Sequence, residues 1–194
     1  MTPNNYAIKN FTHKTNFRLD IPDGGMTRSF KLNVQETQIP GMILETVKLN
    51  LNPMMKSTIP GSGVTFDPLA VRIILDEEME AYTDIMRWMV STTDYRNNVC
   101  TKPEFMPPFL LLHIIDNAKR KIVCTFKYIE PFPMSMGSAD YSYAEDGNMA
   151  LQMDVQIGYK YFEIERNGVV ISALPNAAAA PKQSARQSLH PSLR

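Results

Sequence analysis

The 194-residue sequence predicts a mainly β protein, an α+β chain built as an antiparallel β-sandwich or small barrel with one covering α-helix. Three observations carry this. Residues 149–164 read MALQMDVQIGYKYFEI: Leu151, Met153, Val155, Ile157, Tyr159 and Tyr161 are apolar at every second position, with Gln152, Asp154, Gln156 and Lys160 in the gaps. A period of two lines one face of a strand and cannot line one face of a helix. Shorter alternating segments recur upstream, at 16–21, 29–34, 42–51 and 68–75. Only the stretch from Asp76 to about Ser91 has helical spacing, and a sheet with one greasy and one wet face suits antiparallel pairing.

In chain order, residues 1–15 are polar and read as an arm. Phe17, Leu19 and Ile21 define a first strand, and Phe30, Leu32 and Val34 a second. Pro22-Asp23-Gly24-Gly25 between them is turn chemistry, so the two read as a hairpin. Ile39-Pro40-Gly41 breaks the chain before a strand at 42–51 with Val47, Leu49 and Leu51 on one face. Asn52–Thr65 holds prolines and glycines and reads as a loop; its Met54, Met55, Lys56 and Ile59 are candidate contact residues, because apolar side chains in loops mark interfaces. Leu69, Val71, Ile73 and Leu75 give the next strand. Asp76 is placed to cap the helix that follows, and Glu77 and Glu78 suit the positive end of its dipole. Met79, Tyr82, Met86 and Met89, widened by Ile85 and Trp88, form the apolar stripe.

After a proline-bearing loop at 92–108, the apolar run FLLLHIID reads as a central strand. Asp116-Asn117 turns it into Lys121–Ile129, a second hairpin. Residues 130–148 read as a long loop, and the strand at 149–164 closes the domain. The chain thus divides into an arm (1–15), a β domain (16–165) and an extension (166–194) whose alanine, proline and serine give it little to pack.

Composition narrows the function. Twenty basic residues balance twenty acidic ones, which removes the basic excess expected of a nucleic-acid binder. The extension alone is biased, with Arg166, Lys182, Arg186 and Arg194 and no acid. Cys100 and Cys124 have no metal-ligand spacing and read as reduced thiols. No apolar run reaches the roughly 18 residues of a membrane span, and the N-terminus lacks a signal-peptide core, which points to folding in the cytoplasm. His13 and His190 lie in the terminal arms, and His113, inside an apolar strand, reads as a hydrogen-bonded structural residue. Cys124 reads as a small buried hydrophobe. No nucleophile–base pair assembles, so no enzyme and no cofactor is expected. Glu77, Glu78, Glu80 and Asp84 are a helix start with solvated charge, or a docking surface for a basic partner.

Several motifs in order are shared with a known group. They are Ile39-Pro40-Gly41, the run Val64–Leu75 (VTFDPLAVRIIL) entering Asp76-Glu77-Glu78, the helix end Met86-Arg87-Trp88-Met89, the turn at Pro131–Gly137 and the strand end Tyr159–Ile164. By these the chain resembles the tail tube proteins of contractile-tailed bacteriophages and, distantly, the tube proteins of type VI secretion systems, over Phe11 to Ile164. The resemblance implies a structural virion protein, assembled in the host cytoplasm into stacked hexameric rings. Strands of six subunits would line one inner barrel, the segment matching Asn52–Thr65 would reach the adjacent ring, and sheath and baseplate proteins would be partners. Double-stranded DNA would occupy the lumen transiently, without specific binding. The wet residues Gln152, Asp154, Gln156 and Lys160 would then face that lumen, and Glu77, Glu78, Glu80 and Asp84 the sheath or another partner. Because ordinary tube subunits often lack an extension like 166–194, a tube-initiating baseplate or hub protein is the alternative. A reading of another class is a monomeric ligand-binding β-barrel.

Overall fold

Alternation in Leu69–Ile74 and Gln152–Gly158 gives two strands that pair antiparallel, Met153 opposite Ile73 and Val155 opposite Val71. Their inward residues Leu69, Val71, Ile73, Met153, Val155 and Ile157 are buried, and their outward residues Arg72, Asp154 and Gln156 are exposed. The computed structural model describes residues 10–22, 27–52, 54–100, 107–142 and 149–171, with backbone only at 99–100. Its elements in order are β1 (Phe17–Asp20), α1 (Arg28–Leu32), β2 (Val34–Thr37), β3 (Met42–Asn52), β4 (Met55–Phe66), β5 (Leu69–Ile74), α2 (Glu80–Thr92), β6 (Thr93–Asp94), β7 (Val99–Cys100), β8 (Phe109–Ile115), β9 (Ile122–Ile129), β10 (Phe132–Met136), β11 (Gln152–Gly158), β12 (Tyr161–Arg166) and β13 (Val169–Val170).

Two antiparallel sheets make the sandwich. One runs β1-β8-β9-β12-β13 and the other β10-β11-β5-β2. A single core joins them: Leu110 and Leu112 of β8 and Phe126 and Tyr128 of β9 meet the β5 and β11 residues. Ala81, Ile85 and Trp88 of α2 and Phe30 of α1 complete the same core. Each fully buried aliphatic side chain contributes roughly 1.5–3 kcal/mol. The expected sandwich with a covering helix is the observed fold, as are the 68–75 strand and the β8–β9 hairpin.

Five expectations are corrected. Residues 29–34 are not a strand: α1 is a helical turn, with Phe30 fully buried and Leu32 73% exposed, so the alternation of Phe30, Leu32 and Val34 marked no common face. The reason is a distant cap. The Asp84 carboxylate of α2 accepts the backbone N–H groups of Ser29 (3.1 Å) and Phe30 (3.4 Å), which satisfies donors a short helix otherwise leaves open. Nor do the first two strands form a hairpin, since β1 pairs with β8 and β2 with β5, in different sheets. Of the turn proposed between them, residues 23–26 lie outside the described residues.

The third correction concerns 52–65, which is strand rather than loop at residue 52 and over 55–65. β4 pairs with β3 along its length, and Gly61, Ser62 and Gly63 bulge opposite Glu45. A Cβ on Gly61 would lie 2.9 Å from the Glu45 carbonyl oxygen, so glycine is what lets the chain pass there. Pro60 is tolerated because both strands of a two-stranded ribbon are edges. For the same reason the Pro131–Met136 stretch holds the edge strand β10.

The fourth is the strand at 149–164, which is two strands in two sheets. β11 ends at Gly158, the chain turns a corner through Tyr159-Lys160, and β12 pairs with β9. A Cβ at Gly158 would meet the Phe132 ring at 2.6 Å and Met134 at 2.9 Å, so the strand crosses where a side chain is missing. The corner is fixed by the Tyr159 hydroxyl donating to the Asp67 carbonyl (2.6 Å) and Lys160 N–H donating to the Ile129 carbonyl (3.0 Å).

Last, α2 begins at Glu80, four residues after Asp76. Asp76 still serves it: its carboxylate accepts the N–H groups of Glu80 (2.8 Å) and Ala81 (3.0 Å), while Met79 adopts a left-handed conformation (φ 58°). The buried stripe is Ala81, Ile85 and Trp88, with Tyr82 and Met89 half-buried beside it. Residues 101–106, 143–148 and 172–194, parts of the loops and extension read from the sequence, lie outside the described residues.

Candidate functional site

Among the described residues, no group of three metal-ligating side chains gathers. His113 is half-buried, and its Nδ1 lies 2.9 Å from the Thr125 hydroxyl, the structural role expected of it. Desolvation lowers the His113 pKa, which favours the neutral ring. Cys124 is a free, half-buried thiol whose pKa burial raises; the side chain of Cys100 lies outside the described residues. A groove of about 580 Å³ along β1, α1 and β2 opens to solvent and is lined by Arg18, Asp20, Arg28 and Lys31 as much as by Phe17 and Val34. What remains distinctive among the described residues is surface: a polar sheet face, an extended arm and the edge strands of the sheets.

The polar face belongs to the β10-β11-β5-β2 sheet. Gln152, Asp154 and Gln156 alternate outward from β11, as the sequence indicated. The pairing register adds two residues that sequence reading missed. Arg72 stands directly opposite both Asp154 and Glu36. Its Nε donates to Asp154 Oδ1 (2.7 Å), and its Nη1 donates to Glu36 Oε2 (3.1 Å). The hydrogen bond and charge of Asp154, then the charge of Glu36, raise the Arg72 pKa further above its usual value. Beside this row the Gln152 amide donates to the Gln35 side-chain oxygen (2.9 Å), and Ser135 stands opposite Gln156. Lys160 is not on this face. It sits in the corner between the sheets and pairs with Glu130 at 3.3 Å.

The arm is the β3–β4 ribbon, and every residue of β3 is exposed. Beyond the bulge it is two-faced. Val47 opposite Ile59, with Leu49 and Leu51 in phase, makes one side; Thr46, Lys48 and Asn50, opposite Pro60, Thr58 and Lys56, make the other. Met54, 99% exposed, marks the tip, with Met55 (51%) beside it and Ile59 (41%) along the shaft. The candidate contact residues therefore stand on an arm, not in a loop. At the root Phe66 packs edge-on against Phe162 (5.3 Å) and near Tyr159 (6.2 Å), which ties the arm to the sandwich. An isolated two-stranded ribbon is marginal in water, and apolar residues in such a row mark a contact surface.

The acidic helix start divides in two. Glu77, Glu78 and Glu80 are exposed. Asp84 is turned inward, its side chain only 11% exposed, capping α1 and pairing with Arg87 at 3.7 Å. Glu80 also accepts from the Ser29 hydroxyl (2.6 Å).

The described residues thus present a sandwich with one polar, cross-braced face, edge strands at β10 and β2 and an exposed two-faced arm, and edge strands are surfaces that invite pairing. The chain belongs to the phage tail tube protein family, whose model matches residues 1–165. It is a structural component of a phage tail, associated with the tail tube. It is 34% identical over 167 residues to the tail tube terminator protein of Enterobacteria phage T4, covering 85% of this chain and 95% of that protein. Two solved structures share the fold at a TM-score of 0.62. The tube-terminating cap of the anti-feeding prophage is 10% identical, covering 86% of this chain and 98% of that one. The sheath/tube terminator of the PVC extracellular contractile injection system is 12% identical, covering 82% and 99%.

Proposed function

We propose that this chain is a tail tube terminator: a hexameric ring that ends the tube of a contractile tail, continues its channel for DNA and meets the sheath nearby. The observation that carries this is the 34% identity to a tail tube terminator across 95% of that protein's length. It moves the reading from the repeating tube subunit, and from a baseplate initiator, to the ring at the tube's end.

The geometry supports a ring. Each subunit offers a four-stranded sheet whose edge strands, among the described residues, are β10 and β2. Six such sheets, about 24 strands spaced about 4.8 Å and tilted about 40°, would close a barrel roughly 45–50 Å across at the backbone. Side chains would leave roughly 35–40 Å, room for a hydrated duplex about 20 Å wide. The polar residues Gln152, Asp154 and Gln156 would then face the lumen, and the arm would seat its apolar side on a neighbouring subunit. Covering Val47, Leu49, Leu51 and Ile59 there would contribute roughly 1–2 kcal/mol each. The exposed carboxylates Glu77, Glu78 and Glu80 are the surface offered to sheath or another basic partner.

Copy number tests the reading. Quantitative mass spectrometry of purified virions should find one ring's worth of this chain per tail, and gold-labelled antibody should mark one end of the tube away from the baseplate. Label along the whole tube would restore the repeating subunit. Label only at the baseplate would restore the initiator, and a monomer absent from virions would favour the ligand-binding barrel.

A further inference from the structure

The Glu36–Arg72–Asp154 row has no evident task in stability. All three side chains are substantially exposed, and exposed ion pairs contribute little to stability. Yet the fold spends three neighbouring strands on it. β2, β5 and β11 bring the residues into one register row, with the guanidinium in the middle and a carboxylate on each side. Along β5 and β11 the outward neighbours Ala70, Gln152 and Gln156 carry no charge, so Arg72 is the one cation among the described residues of these two strands.

We propose that Glu36 and Asp154 hold Arg72 away from phosphate, so that the wall it stands on does not grip a passing polyanion. The proposal rests on the reading of this sheet face as a channel wall, and it names the ligand that the wall avoids, the phosphate backbone of duplex DNA. A free guanidinium is the best side chain for bidentate capture of phosphate. Repeated by ring symmetry, Arg72 would stand as a circle of such groups at one height in the channel. Each phosphate contact adds affinity with a salt slope of about 0.9 in log K, and several at once would brake transit. With Nε and Nη2 turned to Asp154 and Nη1 to Glu36, three of its five N–H donors point at carboxylates and the row carries one net negative charge. Arginine remains useful in the row because it cancels the repulsion of two carboxylates on adjacent strands.

The test compares the wild type, E36Q/D154N, and E36Q/D154N/R72Q, each first checked for rings by electron microscopy. The carboxamides keep the shape, remove the charge and leave one acceptor oxygen each in place of two. Binding of a short linear duplex and of a closed DNA circle is measured across a salt series. The wild type should retain neither. E36Q/D154N should bind the linear duplex at least about tenfold more tightly at low salt, with a steep salt slope, and R72Q should reverse it. The circle, which cannot thread a closed ring, should stay unbound. Intact E36Q/D154N rings with wild-type affinity, or a gain that R72Q fails to reverse, would overturn the proposal. Equal gains for circle and linear duplex would uphold the neutralising role and overturn the channel-wall reading instead. Should the double variant not assemble, E36Q and D154N are read singly: a gain in either supports the proposal, and none in both overturns it.

Discussion

Asp84 and Asp76 show how single carboxylates set local structure. Asp84 holds the N-terminus of α1 and thereby the fully buried Phe30. Replacing it with alanine should cost about 1–2 kcal/mol, read as a lower urea midpoint with an unchanged slope. Asp76 caps α2 from outside the helix, and the hydrogen bond from the Ala81 N–H holds its carboxyl below the usual carboxylate range. A carboxylate with a depressed folded pKa stabilises above its unfolded pKa, about 3.9, and loses that contribution as pH falls through the folded value. The D76A variant should therefore lose about 1 kcal/mol at pH 7, and the gap to wild type should narrow below about pH 4 in urea titrations. At the other extreme, burial pushes the Tyr159 phenol up to about 12. Its neutral form is the one the fold favours, so that contribution is complete below about pH 10 and disappears as pH rises toward 12. Y159F, which loses the hydrogen bond to the Asp67 carbonyl, should flatten the alkaline limb. Asp76 as a cap was legible in the sequence. Asp84 was read as solvated surface, because its partner lies more than fifty positions away.

Among elements, the β3–β4 arm and the β11–β12 corner defied local reading. The arm's composition looked like a loop because glycine and proline usually end strands; here they form a bulge and a free edge. Its apolar row is exposed among the described residues, and the proposed function gives it a role between subunits. The double variant V47D/I59D should change subunit stability by no more than about 0.5 kcal/mol, while light scattering and electron microscopy should show the loss of rings. Unchanged rings would remove the arm from the assembly. At the corner, G158A should cost about 1–3 kcal/mol by crowding Phe132 and Met134, seen as a lower thermal midpoint. Unbroken alternation across 149–164 hid this corner, since Leu151 through Ile157 and Tyr159 with Tyr161 keep the same phase while the chain leaves one sheet for the other. The buried faces then differ: Phe162 and Ile164, not Tyr161, pack on the core from β12.

At the scale of the molecule, the sandwich turns one sheet polar outward, with β10 and β2 as its edge strands among the described residues, and the proposed ring would join subunits at such edges. Alternation and helical spacing in the chain alone determined the fold class, the core strands at 69–74 and 109–129, the covering helix and the outward set Gln152, Asp154 and Gln156. They did so because burial of one face leaves a periodic trace in the residues themselves. The Asn167-Gly168 pair, with both residues at positive φ, carried a hairpin signal that went unread and that the structure uses to fold β13 back on β12. Only the tertiary structure decided that β1 and β2 part company, that Arg72 meets Glu36 and Asp154, and that the arm stands clear of the body. Those outcomes depend on register and on contacts between distant segments, and a periodic pattern says which face a residue takes but not which strand lies beside it.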